Sequence, residues 1–82
     1  MATLTYFGKL SDITGKMTES IALPESVVNT DLLCEWLEGT YDAPGLLTDP
    51  TIRIALNDEI LQTPALISDA DDIAFLPPVG GG

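Results

Sequence analysis

Thr3-Leu4-Thr5-Tyr6-Phe7 alternates polar and apolar side chains as far as Tyr6, the period of a half-buried strand with Leu4 and Tyr6 inward and Phe7 outward. Gly8, Ser11, Asp12 and Gly15 predict a polar connection from Gly8 to Lys16, leading to a second strand from about Met17 to Leu23 with Glu19, Ile21 and Leu23 on one face. These two strands read as an antiparallel hairpin with a long loop. Pro24-Glu25-Ser26 ends the second strand, and Asn29 or Thr30 can cap a helix that carries Asp31 in its first turn. Leu33, Trp36 and Leu37 then fall at i, i+3 and i+4, with Gly39 expected to close the helix.

Tyr41 to Pro50 reads as a loop that lays Leu46 and Leu47 across the helix end. Alternation resumes at Ile52-Arg53-Ile54-Ala55-Leu56, Asn57-Asp58 is a turn, and Ile60-Leu61 returns as a short strand that leaves Ile60 free to face solvent. After a connection through Thr63-Pro64 and Leu66-Ile67, Asp69-Ala70-Asp71-Asp72 turns into a last strand, Ile73-Ala74-Phe75-Leu76. Ile73 and Phe75 are expected inward and Leu76 outward, like Phe7. The order predicts an α+β fold, one mixed sheet of about five strands packed on one main helix. Placing the last strand parallel beside the first, at the centre, buries the two most apolar strands.

The last strand meets Pro77 and Pro78, which lack the N–H a sheet ladder needs and favour an extended exit. Gly80, Gly81 and Gly82 have no Cβ to pack and a high entropic cost of ordering, so residues 1–76 read as the body and 77–82 as a flexible tail. Fully extended, the tail reaches roughly 20 Å, enough to thread a narrow channel of another protein. A frayed terminus or an appended run of glycines would look similar over the glycines alone.

Composition narrows the chemistry. Eighty-two residues at 45% hydrophobic, with a mean hydropathy of +0.25, make one globular domain that is too apolar for disorder and has no bilayer-length apolar run. One cysteine and no histidine exclude a disulfide framework, a Cys/His metal cluster and a catalytic imidazole. Cys34 lies in the helix with no cation nearby in sequence and reads as a small core residue; Trp36 also reads as core. Thirteen acidic residues against Lys9, Lys16 and Arg53 give a net charge of −10, which argues against nucleic acid or an anionic membrane as partner and for a basic protein surface or simple solubility. Asp69, Asp71 and Asp72 lack the glycine and distant glutamate of a calcium loop and read as a turn. No Walker-type phosphate loop or GxGxxG turn occurs, so any ATP used belongs to a partner. With no signal or transit segment in Met1-Ala2-Thr3-Leu4-Thr5-Tyr6, the expected address is cytoplasmic.

Three segments together resemble the MoaD family of ubiquitin-like β-grasp sulfur carriers: Tyr6-Phe7 at the first strand end, Ala55-Leu56-Asn57 before the turn, and Asp71-Asp72-Ile73-Ala74-Phe75-Leu76-Pro77-Pro78-Val79-Gly80-Gly81-Gly82. The likeness covers essentially the whole chain and is most specific in the Pro-Pro-Val and closing Gly-Gly. Two positions depart from the family pattern: Gly80 stands where the family usually has another residue, and Leu76 where it often has an aromatic.

The resemblance implies a ubiquitin-like β-grasp fold and a carrier whose Gly82 carboxylate is adenylated by an E1-like, ATP-using enzyme and converted to a thiocarboxylate. It further implies that Gly80 and Gly81 thread into the large subunit of molybdopterin synthase. There the sulfur would build the dithiolene of molybdopterin from cyclic pyranopterin monophosphate. Phe7, Ile60 and Leu76 would form an apolar patch beside the tail, with Pro77, Pro78 and Val79 as a semi-rigid arm. No metal or cofactor is implied on this chain. Carriers for thiamine or tRNA thiolation share the Gly-Gly end, and a ubiquitin-like module that binds without reacting remains a third reading.

Overall fold

The computed structural model describes residues 1–78. Alternation sets the first strand, β1 (Ala2–Tyr6), with Ala2, Leu4 and Tyr6 buried. Next come α1 (Lys9–Thr14), β2 (Thr18–Ile21), α2 (Thr30–Thr40), β3 (Arg53–Leu56), β4 (Glu59–Ile60) and β5 (Asp72–Leu76). The strands form one mixed sheet in the order β2-β1-β5-β3-β4, with β1 and β5 parallel and the other pairs antiparallel. The expected central pair is therefore present, in the register Leu4 to Ile73 and Tyr6 to Phe75. Both strands contribute alternate residues to a core that also takes Leu33, Cys34 and Leu37 from α2.

Local chemistry explains the element ends. Asn29, in an extended conformation, accepts the Leu32 N–H on its side-chain oxygen at 2.8 Å and starts α2. Leu33 and Leu37 are buried and Trp36 packs half-buried against the same core. Asn57 and Asp58 both have positive φ, 50° and 71°, the two-residue turn whose twist suits the β3–β4 hairpin. Asn57 also donates its side-chain amide to Asp71 and accepts the Asp72 N–H, tying that hairpin to the start of β5. Asp69 accepts the Leu23 N–H at 2.8 Å, and Asp71 accepts the Ser68 N–H at 2.7 Å, so these carboxylates hold a turn.

Three details differ from expectation. The Gly8 to Lys16 segment contains a helix, α1, because Leu10 and Thr14 at i and i+4 bury one face while Gly15 closes the turn at φ 78°. Gly39 does not end α2; the helix runs on to Thr40, and the chain reverses at Asp42, whose φ of 51° a short polar side chain tolerates. The second strand is also shorter than expected, since Leu23 leaves the ladder to bond with Asp69. Among the described residues, no helix is long and apolar enough to cross a membrane.

Candidate docking groove and tail root

Pleating puts Ala55, Ala74 and Leu76 on the face of the sheet opposite Ile54, Ile73 and Phe75. Ala55 pairs with Ile60, and Arg53 pairs with Leu76. The outer face thus carries Ile60, Arg53 and Leu76 across three adjacent strands. Together with Pro77 and Pro78, and with Pro50 and Thr51 at one rim, they line an open depression of about 530 Å³. Its apolar floor runs directly into the tail. Ile60 is 53% exposed, a large apolar area for a two-residue edge strand.

Of the residues expected to form one patch, the groove brings together Ile60, Leu76, Pro77 and Pro78. Phe7, 47% exposed, lies outside it, beyond the end of β1 on the other side of β5. Leu76 is half-buried rather than fully outward, because it sits between β1 and β3 on an interior strand. Val79, Gly80, Gly81 and Gly82, the expected arm end, thread and reacting terminus, lie outside the described residues.

Two contributors escaped the reading of sequence. Among the described residues Arg53 is the groove's one cation, and its signal was its place as the polar residue between Ile52 and Ile54 in a chain with three basic side chains. Glu19 is the other. Its carboxylate accepts hydrogen bonds from the hydroxyls of Tyr6, at 2.6 Å, and Tyr41, while the Lys16 ammonium stands 3.5 Å away. Burial alone would raise the Glu19 carboxyl, but the bonds from Tyr41 and Tyr6 and the Lys16 charge outweigh it and hold the group below the ordinary glutamate value. The Tyr6 hydroxyl is pushed far up, first by burial and then by Glu19.

The tail root is templated residue by residue on the end of β1. Tyr6 stacks on Phe75, the Phe7 N–H donates to the Phe75 carbonyl at 3.1 Å, and Gly8 lies against Pro77 so closely that a Cβ there would stand 3.1 Å from the proline Cγ. Cys34, by contrast, is buried, and burial followed by the charges of Glu38, Asp31 and Glu35 pushes its thiol up to about 12, which keeps it un-ionised and unreactive. Among the described residues no cluster of three or more His, Cys, Asp or Glu side chains could hold a metal ion.

Comparison with known proteins bears on the fold and the family. The chain is 31% identical over 81 residues to the human molybdopterin synthase sulfur carrier subunit, covering 94% of this chain and 89% of that protein. It superposes with a TM-score of 0.77 on small archaeal modifier protein 1 from Methanosarcina acetivorans, at 23% identity over 99% of this chain and 95% of that one. The corresponding protein from Haloferax volcanii gives 0.76 at 20% identity, over 99% and 98%. The profile of the ThiS family matches residues 4–82, nearly the whole chain. A five-stranded mixed sheet on a main helix, matched in sequence from Leu4 onward, makes this chain a member of the ThiS family with the ubiquitin-like β-grasp fold.

Proposed function

We propose that this chain is the sulfur carrier subunit of a molybdopterin synthase. The observation that carries the reading is the apolar groove of Ile60, Leu76, Pro77 and Pro78, which opens where the chain leaves β5 toward Gly81-Gly82. The full-length likeness to a subunit of that name supports it.

In this reading Gly82 is the reacting residue. An ionised carboxylate is a poor electrophile at neutral pH. An E1-like partner transfers AMP from ATP to the carboxylate and releases pyrophosphate. A sulfide-level sulfur atom then adds to the acyl carbon, AMP leaves, and a thiocarboxylate remains. ATP is bound by the partner. The larger synthase subunit receives the tail and supplies the acid–base groups, and the thiocarboxylate sulfur passes to cyclic pyranopterin monophosphate to form the dithiolene. The chain thus contributes the reacting atom and its placement, as a non-autonomous part of the enzyme. Phe7 flanks the groove on the β1 side and adds to the docking surface, while Gly80 and Gly81 keep the thread narrow.

Incubation with ATP, the cognate activating enzyme and a sulfur source is expected to exchange one oxygen for sulfur at Gly82, read by intact mass. Adding the large subunit and precursor is then expected to yield molybdopterin. An unchanged mass under conditions that charge a control carrier overturns the carrier reading. Charging without molybdopterin formation redirects the sulfur to another acceptor, such as a thiamine precursor or tRNA.

A further inference from the structure

We infer that Glu19 is a positioning residue for the tail, acting through Tyr6 on the exit direction of Leu76-Pro77-Pro78. This rests on the tail being the working end. Tyr6 is fixed in three ways: its N–H donates to the Met17 carbonyl at 2.8 Å, its ring is stacked on Phe75, and its hydroxyl donates to Glu19 at 2.6 Å. The first two bonds are ordinary sheet and core contacts. The third ties β1 to β2 and, through the Tyr41 hydroxyl on the same Glu19 oxygen, to the end of α2.

That single oxygen therefore joins three elements at the end of the sheet from which the tail departs. Beyond Tyr6, the Phe7 N–H holds the Phe75 carbonyl and Gly8 abuts Pro77. A shift of the Tyr6 ring is transmitted along this template to the prolines, because no slack separates the successive contacts. Among the described residues Glu19 has no hydrogen bond to Leu76, Pro77 or Pro78, and its side chain is only 14% exposed, so its route to the tail root runs through Tyr6.

Amide hydrogen exchange in Glu19→Ala separates this role from plain stabilisation. The Phe7 amide reports the tail root, and the Asn57 amide, donated to the Asp72 carbonyl at 2.7 Å, reports the far end of β5. Phe7 exchange is expected to rise at least about tenfold more than Asn57 exchange, the factor equivalent to losing one hydrogen bond to a charged group. The apparent KM for ATP-dependent charging is expected to rise with it, while Glu19→Gln, which keeps an acceptor oxygen for both phenols, restores both readouts. Equal acceleration at the two amides, or an unchanged Phe7 amide or KM in Glu19→Ala, overturns the inference. If Glu19→Ala fails to fold, Tyr6→Phe, which removes the bond to Glu19 and keeps the ring, is subject to the same comparison. Should the unaltered protein fail to charge, the sulfur carrier reading falls, and the two amides still decide whether Glu19 holds the tail root.

Discussion

The ring of Tyr6 lies nearly flat on the ring of Phe75, with centroids 5.6 Å apart and planes 11° from parallel. Both residues are buried, and each stands beside a part of the candidate site: Tyr6 before Phe7, and Phe75 before Leu76 and the prolines. The central parallel pair is thus where stability and tail placement meet.

Removing one partner tests the stability half. Phe75→Ala leaves a ring-sized gap in the core beside Tyr6, and such truncations cost about 3–5 kcal/mol. For a domain of this size Tm is expected to fall by roughly 12–40 °C. Tyr6→Phe keeps the stack and loses only the bond to Glu19, so its urea midpoint is expected to fall far less. Equal losses in the two variants would show that the hydroxyl, and not the ring, carries the interaction.

Acid titration tests the carboxylate beneath that pair. Glu19 has a lowered native value, so the unfolded chain takes up its proton first as pH falls. Its contribution is complete above the ordinary glutamate value and is lost as pH drops through the lowered native one. Glu38, whose burial is outweighed by N–H groups of Thr48, Leu47 and Gly45, acts in the same direction and window, and Asp71, held down first by Asn57, acts in the same direction from the ordinary aspartate value downward. Urea midpoints are expected to be flat near neutral pH and to decline in acid, with a shallower decline in Glu19→Gln. Tyr6, raised in the native state, works oppositely: its contribution is complete below the ordinary tyrosine value and is lost as pH climbs above it.

The central strands were legible in sequence because period-two alternation at Leu4, Tyr6, Ile73 and Phe75 admits one burial pattern, and Asn29 is a cap whose chemistry needs no tertiary partner. Helix α1 was hidden because six residues hold barely two turns, and Leu10 and Thr14 alone do not establish a period against four turn-forming residues. Gly39 misled because a glycine near a helix end resembles a cap, while the left-handed turn fell on Asp42. At the site, outward direction followed from alternation, but adjacency did not. Ile60 joins Leu76 only through the hairpin register, and Phe7, at the end of β1, is separated from Ile60 by β5 and β3. Glu19 meets Tyr6 and Tyr41 from 13 and 22 residues away, a contact that no local pattern encodes.

The glycines bracketing α1 make a contrasting pair. Gly15 adopts φ 78° and ψ 10°, with nothing within 4 Å of a would-be Cβ, a conformation that asparagine also visits. Gly8 adopts φ 55° and ψ −134°, a region open essentially to glycine alone, and its Cβ would press on Pro77. Gly15→Asn is expected to cost at most about 1 kcal/mol, whereas Gly8→Asn is expected to cost about 1–3 kcal/mol in backbone strain alone. Thermal denaturation ranks the two. Only the Gly8 variant is expected to shift the NMR signals of Pro77.

Ile60 offers the cleanest separation of binding from folding. It lies on the two-residue edge strand β4, is 53% exposed, and belongs to the groove without belonging to the core. Ile60→Asp therefore changes the urea midpoint little, with stability within about 0.5 kcal/mol of the parent, as for surface positions that carry no special contact. If the groove docks a partner, the same change places a carboxylate in an apolar contact and weakens association with the large subunit by at least about tenfold, the threshold of an energetically important interface residue. Titration calorimetry measures that affinity, and Ser26→Asp, which adds the same charge at an exposed position outside the groove, controls for net charge. A tenfold loss confined to Ile60→Asp places the contact on β4. Unchanged affinity there would assign docking to the β1 side of β5, where Phe7 is exposed.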